Sequence, residues 1–312
     1  MKKDALKRLE KLAEKKLRTL LSKRTFLKGL ASVVGIAALS PAKAAQALSW
    51  EEFFRKHYKE LTKAEKKEIF ASIEAKTKER YGVDVKITDP QPMEGVEFVY
   101  CLNLSKCIGC RRCVYACVKE NNQSRDPQIQ YIKVLELPKG SFDLEKANIY
   151  YDHEEVPAEG KFYMPVQCHQ CRKPPCVKVC PVGATWQQKD GIVVIDQDWC
   201  IGCRYCEAAC PYEARRFNFA TPQIDPDDIN PDQGYLSNRI RSKGVMEKCT
   251  FCLHRTRVGK LPACVEICPT GSRKFGNILD KNSDVYGIIQ NKRIYVLKEE
   301  LGTQPRFYYF FD

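Results

Sequence analysis

Sixteen of the seventeen cysteines in this 312-residue chain fall into four tight groups, three of which close on Cys-Pro. The first reads Cys107-x2-Cys110-x2-Cys113-x3-Cys117 and the second Cys168-x2-Cys171-x4-Cys176-x3-Cys180-Pro181. The third is Cys200-x2-Cys203-x2-Cys206-x3-Cys210-Pro211, and the fourth Cys249-x2-Cys252-x11-Cys264-x3-Cys268-Pro269. Thiols two residues apart on one tight loop are poor disulfide partners for each other, and sixteen crowded this way would scramble. The spacing instead suits metal ligation.

A run of C-x2-C-x2-C-x3-C-P holds [4Fe–4S] cubanes in two-cluster bacterial ferredoxins. Three thiolates from a loop take one face of a cube, and the fourth, a helical turn further on, points at the neighbouring cube. Zinc is the competing metal, but zinc sites come as two separated pairs, often with histidine. A triple-plus-one spacing repeated four times has little reason to exist for zinc. No C-x-x-C-H occurs, since Arg111 follows Cys110 and Arg172 follows Cys171, so covalent haem is unsupported. The fourth motif departs in its eleven-residue gap, which reads as a loop inserted within one ligand set. Val118 stands where the other motifs have proline, a change of local turn with no loss of ligand. Cys101, alone in an apolar run, reads as a buried core thiol. His169 and His254 lie inside motifs, either bonded near a cluster or simply packed. Arg111, Arg112, Arg172, Lys173, Arg204 and Lys248 lie beside the expected cluster anions, where positive charge favours the reduced form.

Nineteen residues separate Cys180 from Cys200, whereas fifty separate Cys117 from Cys168. The second and third motifs therefore read as one module, leaving the first and fourth to pair across the chain. The resulting ligand sets are Cys107, Cys110, Cys113 with Cys268; Cys168, Cys171, Cys176 with Cys210; Cys200, Cys203, Cys206 with Cys180; and Cys249, Cys252, Cys264 with Cys117. All sixteen positions hold iron, and the cofactors are four [4Fe–4S] clusters. The expected fold is α+β, with two ferredoxin-like modules, the second inserted between the halves of the first. Residues 93–122 plus 245–276 would form the outer module and 165–220 the inner one. Segments 123–164 and 221–244 are insertions.

The formal charge of +13 resembles a nucleic-acid or membrane signal. Residues 1–46 hold twelve Lys and Arg against three Asp and Glu, so +9 of it sits there. Each four-thiolate cubane adds roughly −2 to −3, which leaves the mature holoprotein mildly acidic and removes the basic-patch reading. Residues 1–47 read as a signal peptide. Ser22-Lys23-Arg24-Thr25-Phe26-Leu27-Lys28 is similar to the twin-arginine export consensus, with lysine first of the two basic positions. An apolar run at 29–39 and small-x-small sites at 42–47 follow. The alternative is an amphipathic N-terminal helix that is never removed.

Residues 49–81, within an N-terminal helical segment at 48–92, read as two amphipathic helices. Ser49 with Glu52 and Thr62 with Glu65 make capping boxes, and Gly82 follows the second. Residues 96–104 are strand-like, and Gly183-Ala184-Thr185-Trp186 with 192–195 around Asp190-Gly191 read as a hairpin. The C-terminal segment 277–312 ends in Phe307-Tyr308-Tyr309-Phe310-Phe311. This run is either an exposed patch that docks into a membrane subunit or a final strand packed on its own domain.

Lys248-Cys249-Thr250-Phe251-Cys252, Pro262-Ala263-Cys264-Val265, Cys268-Pro269-Thr270-Gly271, Pro174-Pro175-Cys176 and Cys200-Ile201-Gly202-Cys203-Arg204-Tyr205-Cys206 together resemble one family. It comprises the four-cluster iron–sulfur subunits of the dimethyl-sulfoxide-reductase type, including polysulfide, tetrathionate and nitrite reductase subunits. The resemblance spans about residues 96–276 and implies the same pairing of motifs. Phe162-Tyr163-Met164-Pro165-Val166-Gln167 is most similar to the exported ferredoxin subunit of Dsr-type and Hme-type complexes, which implies a polytopic quinone-binding membrane partner. The expected function is electron transfer between that quinone-linked subunit and a further redox subunit, a cytochrome or a molybdopterin catalytic chain. The protein would sit at the periplasmic face of the cytoplasmic membrane, held through its partners. An exported molybdopterin oxidoreductase such as a polysulfide, tetrathionate or dimethyl sulfoxide reductase is the alternative assembly. A catalytic role alone lacks a substrate site: no G-x-G-x-x-G, P-loop or spare metal constellation occurs.

Overall fold

The computed structural model describes residues 58–312; the expected signal peptide and first helix lie outside them. Helix α1 (Lys63–Tyr81) starts at a complete capping box, with the Glu65 N–H donating to Thr62 Oγ1 and the Thr62 N–H to the Glu65 carboxylate at 2.7 Å. Gly82 ends it at φ 72°, where a side chain would strain the backbone. One side of the helix is turned inward, but shallowly: Ile69, Phe70, Ile73 and Glu74 are half-buried and only Thr77 is buried. Point contacts complete its attachment. Phe70 lies 5.4 Å from the Tyr235 ring, Glu74 accepts from the Ile87 N–H at 2.8 Å, and the Tyr81 hydroxyl donates to Pro222 O at 3.0 Å. No helix among the described residues is long and apolar enough to cross a membrane.

The main sheet has the order β10–β2–β12–β11, from Arg273–Asn277, Phe98–Asn103, Phe307–Phe311 and Arg293–Tyr295. β2 leads into the first cysteine motif and β10 leads out of the fourth. Their antiparallel register, from Arg273 opposite Leu102 to Asn277 opposite Phe98, brings these distant motifs side by side. β12 lies parallel to β2, with Phe307 opposite Tyr100 and Phe310 opposite Asn103.

Both faces of the two inner strands are covered. Val99, Cys101, Tyr308 and Phe310 form one face and pack with Val285, Ile288 and Ile289 of helix α7 (Asp284–Asn291). Tyr100, Phe307 and Tyr309 form the other face, towards the cysteine loops; Tyr100 stacks on Phe307 at 4.8 Å, and Phe307 on His169 at 4.9 Å. The aromatic run is therefore an inner strand and offers no docking patch: Phe307, Tyr308, Tyr309 and Phe310 are buried and only Phe311 reaches the surface. Cys101 is the expected core thiol, its pKa pushed up to about 12 by burial.

The remaining strands form two-stranded pieces. β3 (Lys133–Pro138) pairs with β4 (Lys161–Val166), and β5 (Thr185–Gln187) with β6 (Val193–Ile195) in the expected hairpin. β7 (Arg216–Phe217) pairs with β9 (Met246–Glu247), and β1 (Lys86–Thr88) runs parallel to β8 (Asp232–Gly234).

One buried ion pair ties the hairpin to the fourth motif. Arg257, from the eleven-residue gap, grips Asp190 with Nε at 2.8 Å and Nη2 at 3.1 Å, and both side chains are fully sequestered. Its remaining nitrogen donates to Pro90 O at 2.8 Å. Removing one partner strands a buried charge. Arg257→Ala should therefore cost about 3–5 kcal/mol, read as a lowered denaturant midpoint with the slope unchanged, whereas Lys78→Ala, at an exposed ion pair, should be close to neutral.

Candidate metal centres

Each motif opens on a loop that turns through left-handed backbone. Gly109 (φ 76°) and Arg111 (φ 54°) flank Cys110, and Gly202 (φ 69°) and Arg204 (φ 66°) flank Cys203. Gln170 (φ 46°) precedes Cys171, and Phe251 (φ 53°) precedes Cys252. Such turns curl successive N–H groups towards an anion. The Phe251 N–H donates to Cys249 Sγ at 3.4 Å and the Met246 N–H to Cys200 Sγ at 3.5 Å.

A short helix then carries the next cysteines: α2 (Arg112–Glu120), α3 (Pro175–Lys178), α4 (Tyr205–Ala208) and α6 (Ala263–Glu266), with α5 (Leu253–Thr256) filling the gap of the fourth motif. The last three ligand helices stop before the final cysteine, and a turn through Cys-Pro follows. α2 instead continues to Glu120, so position 118 lies inside a helix, where proline would remove a hydrogen bond. Val118 is thereby explained. The residues beyond α2 serve the site, since Gln123 Nε2 lies 3.2 Å from Cys117 Sγ and Asn121 Nδ2 3.6 Å from Sγ of both Cys117 and Cys252.

The structure brings distant cysteines together. Cys107, Cys110, Cys113 and Cys268 line one hollow, and Cys180, Cys200, Cys203 and Cys206 line another. Burial pushes the Cys171 thiol up to about 12, and the charges of Cys168, Cys176 and Cys210 push the same way. Burial drives Cys117 well up, reinforced by Cys252, Cys249 and Cys264.

Several of these thiols stay protonated at neutral pH by themselves: burial raises Cys107 and Cys252 to about 12 and Cys206 to about 11. Cys268 is shifted the other way: burial raises it, but the Ser272 and Thr270 hydroxyls and nearby N–H groups outweigh that and hold it below the ordinary thiol value. A bound cation is needed to deprotonate the raised thiols. A single ion does not fit, because among the described residues no three Cys, His, Asp or Glu side chains converge on one point. A cube of iron and sulfide needs its ligands spread round a hollow, which is the arrangement of Cys107, Cys110, Cys113 and Cys268 and of Cys180, Cys200, Cys203 and Cys206. Arg215 Nη1 is also buried without a protein acceptor, although the side chain lines the second hollow; a sulfur anion there would satisfy it.

The cations that touch sulfur are not those expected from the motifs. Arg215 Nη2 donates to Cys176 Sγ at 3.0 Å and Arg273 Nη2 to Cys113 Sγ at 3.1 Å. Arg172 instead pairs with Glu97, Arg204 with Glu207, and Lys248 donates to Gln170 Oε1 and Cys249 O. The missed signal was one of spacing: both arginines stand five residues beyond the last cysteine of a motif. Neither histidine bonds to a thiol. His169 is stacked between Phe307 and Tyr212 and held neutral by burial, its pKa lowered to about 3. His254 meets Glu120 at 2.8 Å.

Fold and site define a ferredoxin-like protein of the [4Fe–4S] dicluster class, and two profiles of the 4Fe-4S dicluster domain match, over residues 160–226 with 235–278 and over 106–184. The chain is 39% identical over 237 residues to the selenate reductase B-subunit of Mesobacillus selenatarsenatis, covering 72% of this chain and 76% of the relative. It is 41% identical to the Hdr-like menaquinol oxidoreductase iron-sulfur subunit 1 of Archaeoglobus fulgidus (63% and 71% covered) and 37% identical to the tetrathionate reductase B-subunit of Salmonella typhimurium (67% and 70% covered). The chain belongs to the iron–sulfur B-subunit family of the dimethyl-sulfoxide-reductase type. It carries [4Fe–4S] clusters and transfers electrons within an oxidoreductase complex, without catalysing a reaction alone.

The loop glycines test this geometry. A Cβ on Gly202 would lie 2.1 Å from Gly244 O, at a φ that itself costs about 1–2 kcal/mol for an L-residue. Gly202→Ala should lower the iron-to-protein ratio by one cluster's share and lower the melting temperature. Gly259→Ala, also at positive φ but with nothing within 4 Å, should keep its iron and lose only the backbone contribution.

Proposed function

We propose that the four groups are ligand sets: Cys107, Cys110, Cys113 and Cys268; Cys168, Cys171, Cys176 and Cys210; Cys180, Cys200, Cys203 and Cys206; and Cys117, Cys249, Cys252 and Cys264. They lie in two modules, residues 165–220 inserted between 93–122 and 245–276. A [4Fe–4S] cluster in each set supplies a centre that accepts and returns one electron.

The observation that carries this reading is the continuity of the sets. Besides burial, the charges acting on Cys113 include Cys264 of the next set. For Cys249 the largest charge effect comes from Cys168, and for Cys206 the thiols acting on it include Cys176. The sets thus form one row: Cys107 set, Cys249 set, Cys168 set, Cys200 set. All four cysteines of the Cys249 set are buried, whereas Cys203 at one end is exposed and Cys107, Cys110 and Cys268 at the other are half-buried. A row dry in the middle and open at both ends suits a relay between two partners. Exposed Tyr205 and Phe219, with the Arg204 guanidinium 5.0 Å from the Phe219 ring, supply a contact face beside the Cys203 loop.

One partner is a quinone-linked integral membrane subunit and the other a further redox chain, as in a Dsr-like or Hme-like assembly. The menaquinol oxidoreductase relative supports this reading. The selenate and tetrathionate reductase relatives support the second assembly, in which the other partner is a molybdopterin catalytic chain. Export by the twin-arginine route to the outer face of the cytoplasmic membrane rests on the segment around Lys23-Arg24. Anaerobic capture of the tagged native protein from detergent-solubilised membranes, with mass spectrometry of what copurifies, tests all of this. A polytopic subunit with cytochrome or heterodisulfide-reductase-like chains is the expected result. A large pterin-binding chain would select the second assembly, and recovery of the protein alone from the soluble fraction would sink both.

A further inference from the structure

Arg215 and Arg273 occupy matching places in Cys210-Pro211-Tyr212-Glu213-Ala214-Arg215 and Cys268-Pro269-Thr270-Gly271-Ser272-Arg273. The same position beyond the first and second motifs holds Asn122 and Thr185. Both arginines are almost wholly buried, at 1% and 2% exposure. Their acceptors are a cysteine sulfur and neutral oxygens; among the described residues no carboxylate accepts from either. A buried guanidinium without a counter-ion is strongly destabilising, so its anion must lie where its nitrogens point.

Each side chain reaches two neighbouring groups of cysteines. Arg215 donates to Cys176 and to Thr185 Oγ1, both at 3.0 Å, and lines the hollow formed by Cys180, Cys200, Cys203 and Cys206. Arg273 donates to Cys113 at 3.1 Å and lines the hollow formed by Cys107, Cys110, Cys113 and Cys268. Its Nη1 also donates to the Tyr100 hydroxyl at 2.9 Å, and that oxygen lies 3.4 Å from Cys264 Sγ. A guanidinium has no acceptor, so the tyrosine oxygen accepts from Arg273 and its proton is free to donate to Cys264.

We propose that Arg215 and Arg273 are the fixed counter-charges of the two modules, each raising the reduction potentials of both clusters in its own module. Each reduction adds one negative charge beside a cation that solvent and salt cannot screen, which favours the reduced state. Arginine suits the task because its guanidinium stays protonated at every physiological pH and offers several N–H donors in a fixed fork. The inference rests on the ligand sets proposed above.

The test uses full-length protein purified anaerobically with its clusters: wild type, Arg215→Gln, Arg273→Gln and the two Lys variants. Iron and acid-labile sulfide are measured first, followed by redox titration monitored by EPR. In Arg215→Gln two midpoint potentials should fall by at least a tenfold change in the reduction equilibrium, ~59 mV for one electron, with the other two unmoved. Arg273→Gln should move the complementary pair. In the Lys variants, which keep the positive charge, the same pairs should stay closer to wild type than in the Gln variants. Unshifted potentials in loaded Gln variants, an equal fall in Lys and Gln variants, or iron loss from Gln and Lys variants alike would overturn the proposal. A wild-type chain whose iron falls short of four clusters would instead overturn the ligand sets.

Discussion

A thiol as deeply buried as Cys117 or Cys249 cannot carry a charge unless a cation lies against it. The rest of this structure depends on that constraint. Without a cluster the Cys117 and Cys249 thiols stay protonated in the interior. Iron supplies the missing cation and releases the thiol protons, so cluster assembly and folding are one equilibrium.

The same constraint explains the sheet. In an ordinary half-buried strand, apolar and polar residues alternate. β2 and β12 do not alternate, because one face packs on α7 and the other on the cysteine loops. Phe307-Tyr308-Tyr309-Phe310 therefore reads, one letter at a time, equally well as an exposed aromatic patch or as a strand buried on both sides. Only the parallel pairing with β2, more than two hundred residues away in sequence, decides between them. The helix at Lys63–Tyr81 is the opposite case, since its caps are encoded locally while its inward face is only half-buried and is held by single side chains.

The metal chemistry was legible because it is local: three thiols on a loop and one a turn later are written in consecutive residues. The charge that balances it was not. Arg111, Arg112, Arg172 and Arg204 stand next to ligands in sequence, yet Arg172 and Arg204 pair with carboxylates. Arg215 and Arg273 stand five residues away and are brought back to sulfur by the turn after Cys-Pro and the strand that follows.

Electron transfer slows steeply with distance, so a relay needs its centres held rigidly and has no use for a moving lid. The joint between the second and fourth motifs shows how this is done. Gln170 donates to Cys249 O at 2.7 Å, while its side-chain carbonyl oxygen accepts from the Val193 N–H at 2.8 Å and from Lys248 Nζ at 3.3 Å. One buried amide thus links the hairpin, the second cysteine loop and the fourth. Arg257 clamps the far end of that hairpin through Asp190. The two contacts thus fix the hairpin to the fourth motif through buried hydrogen bonds and a buried ion pair.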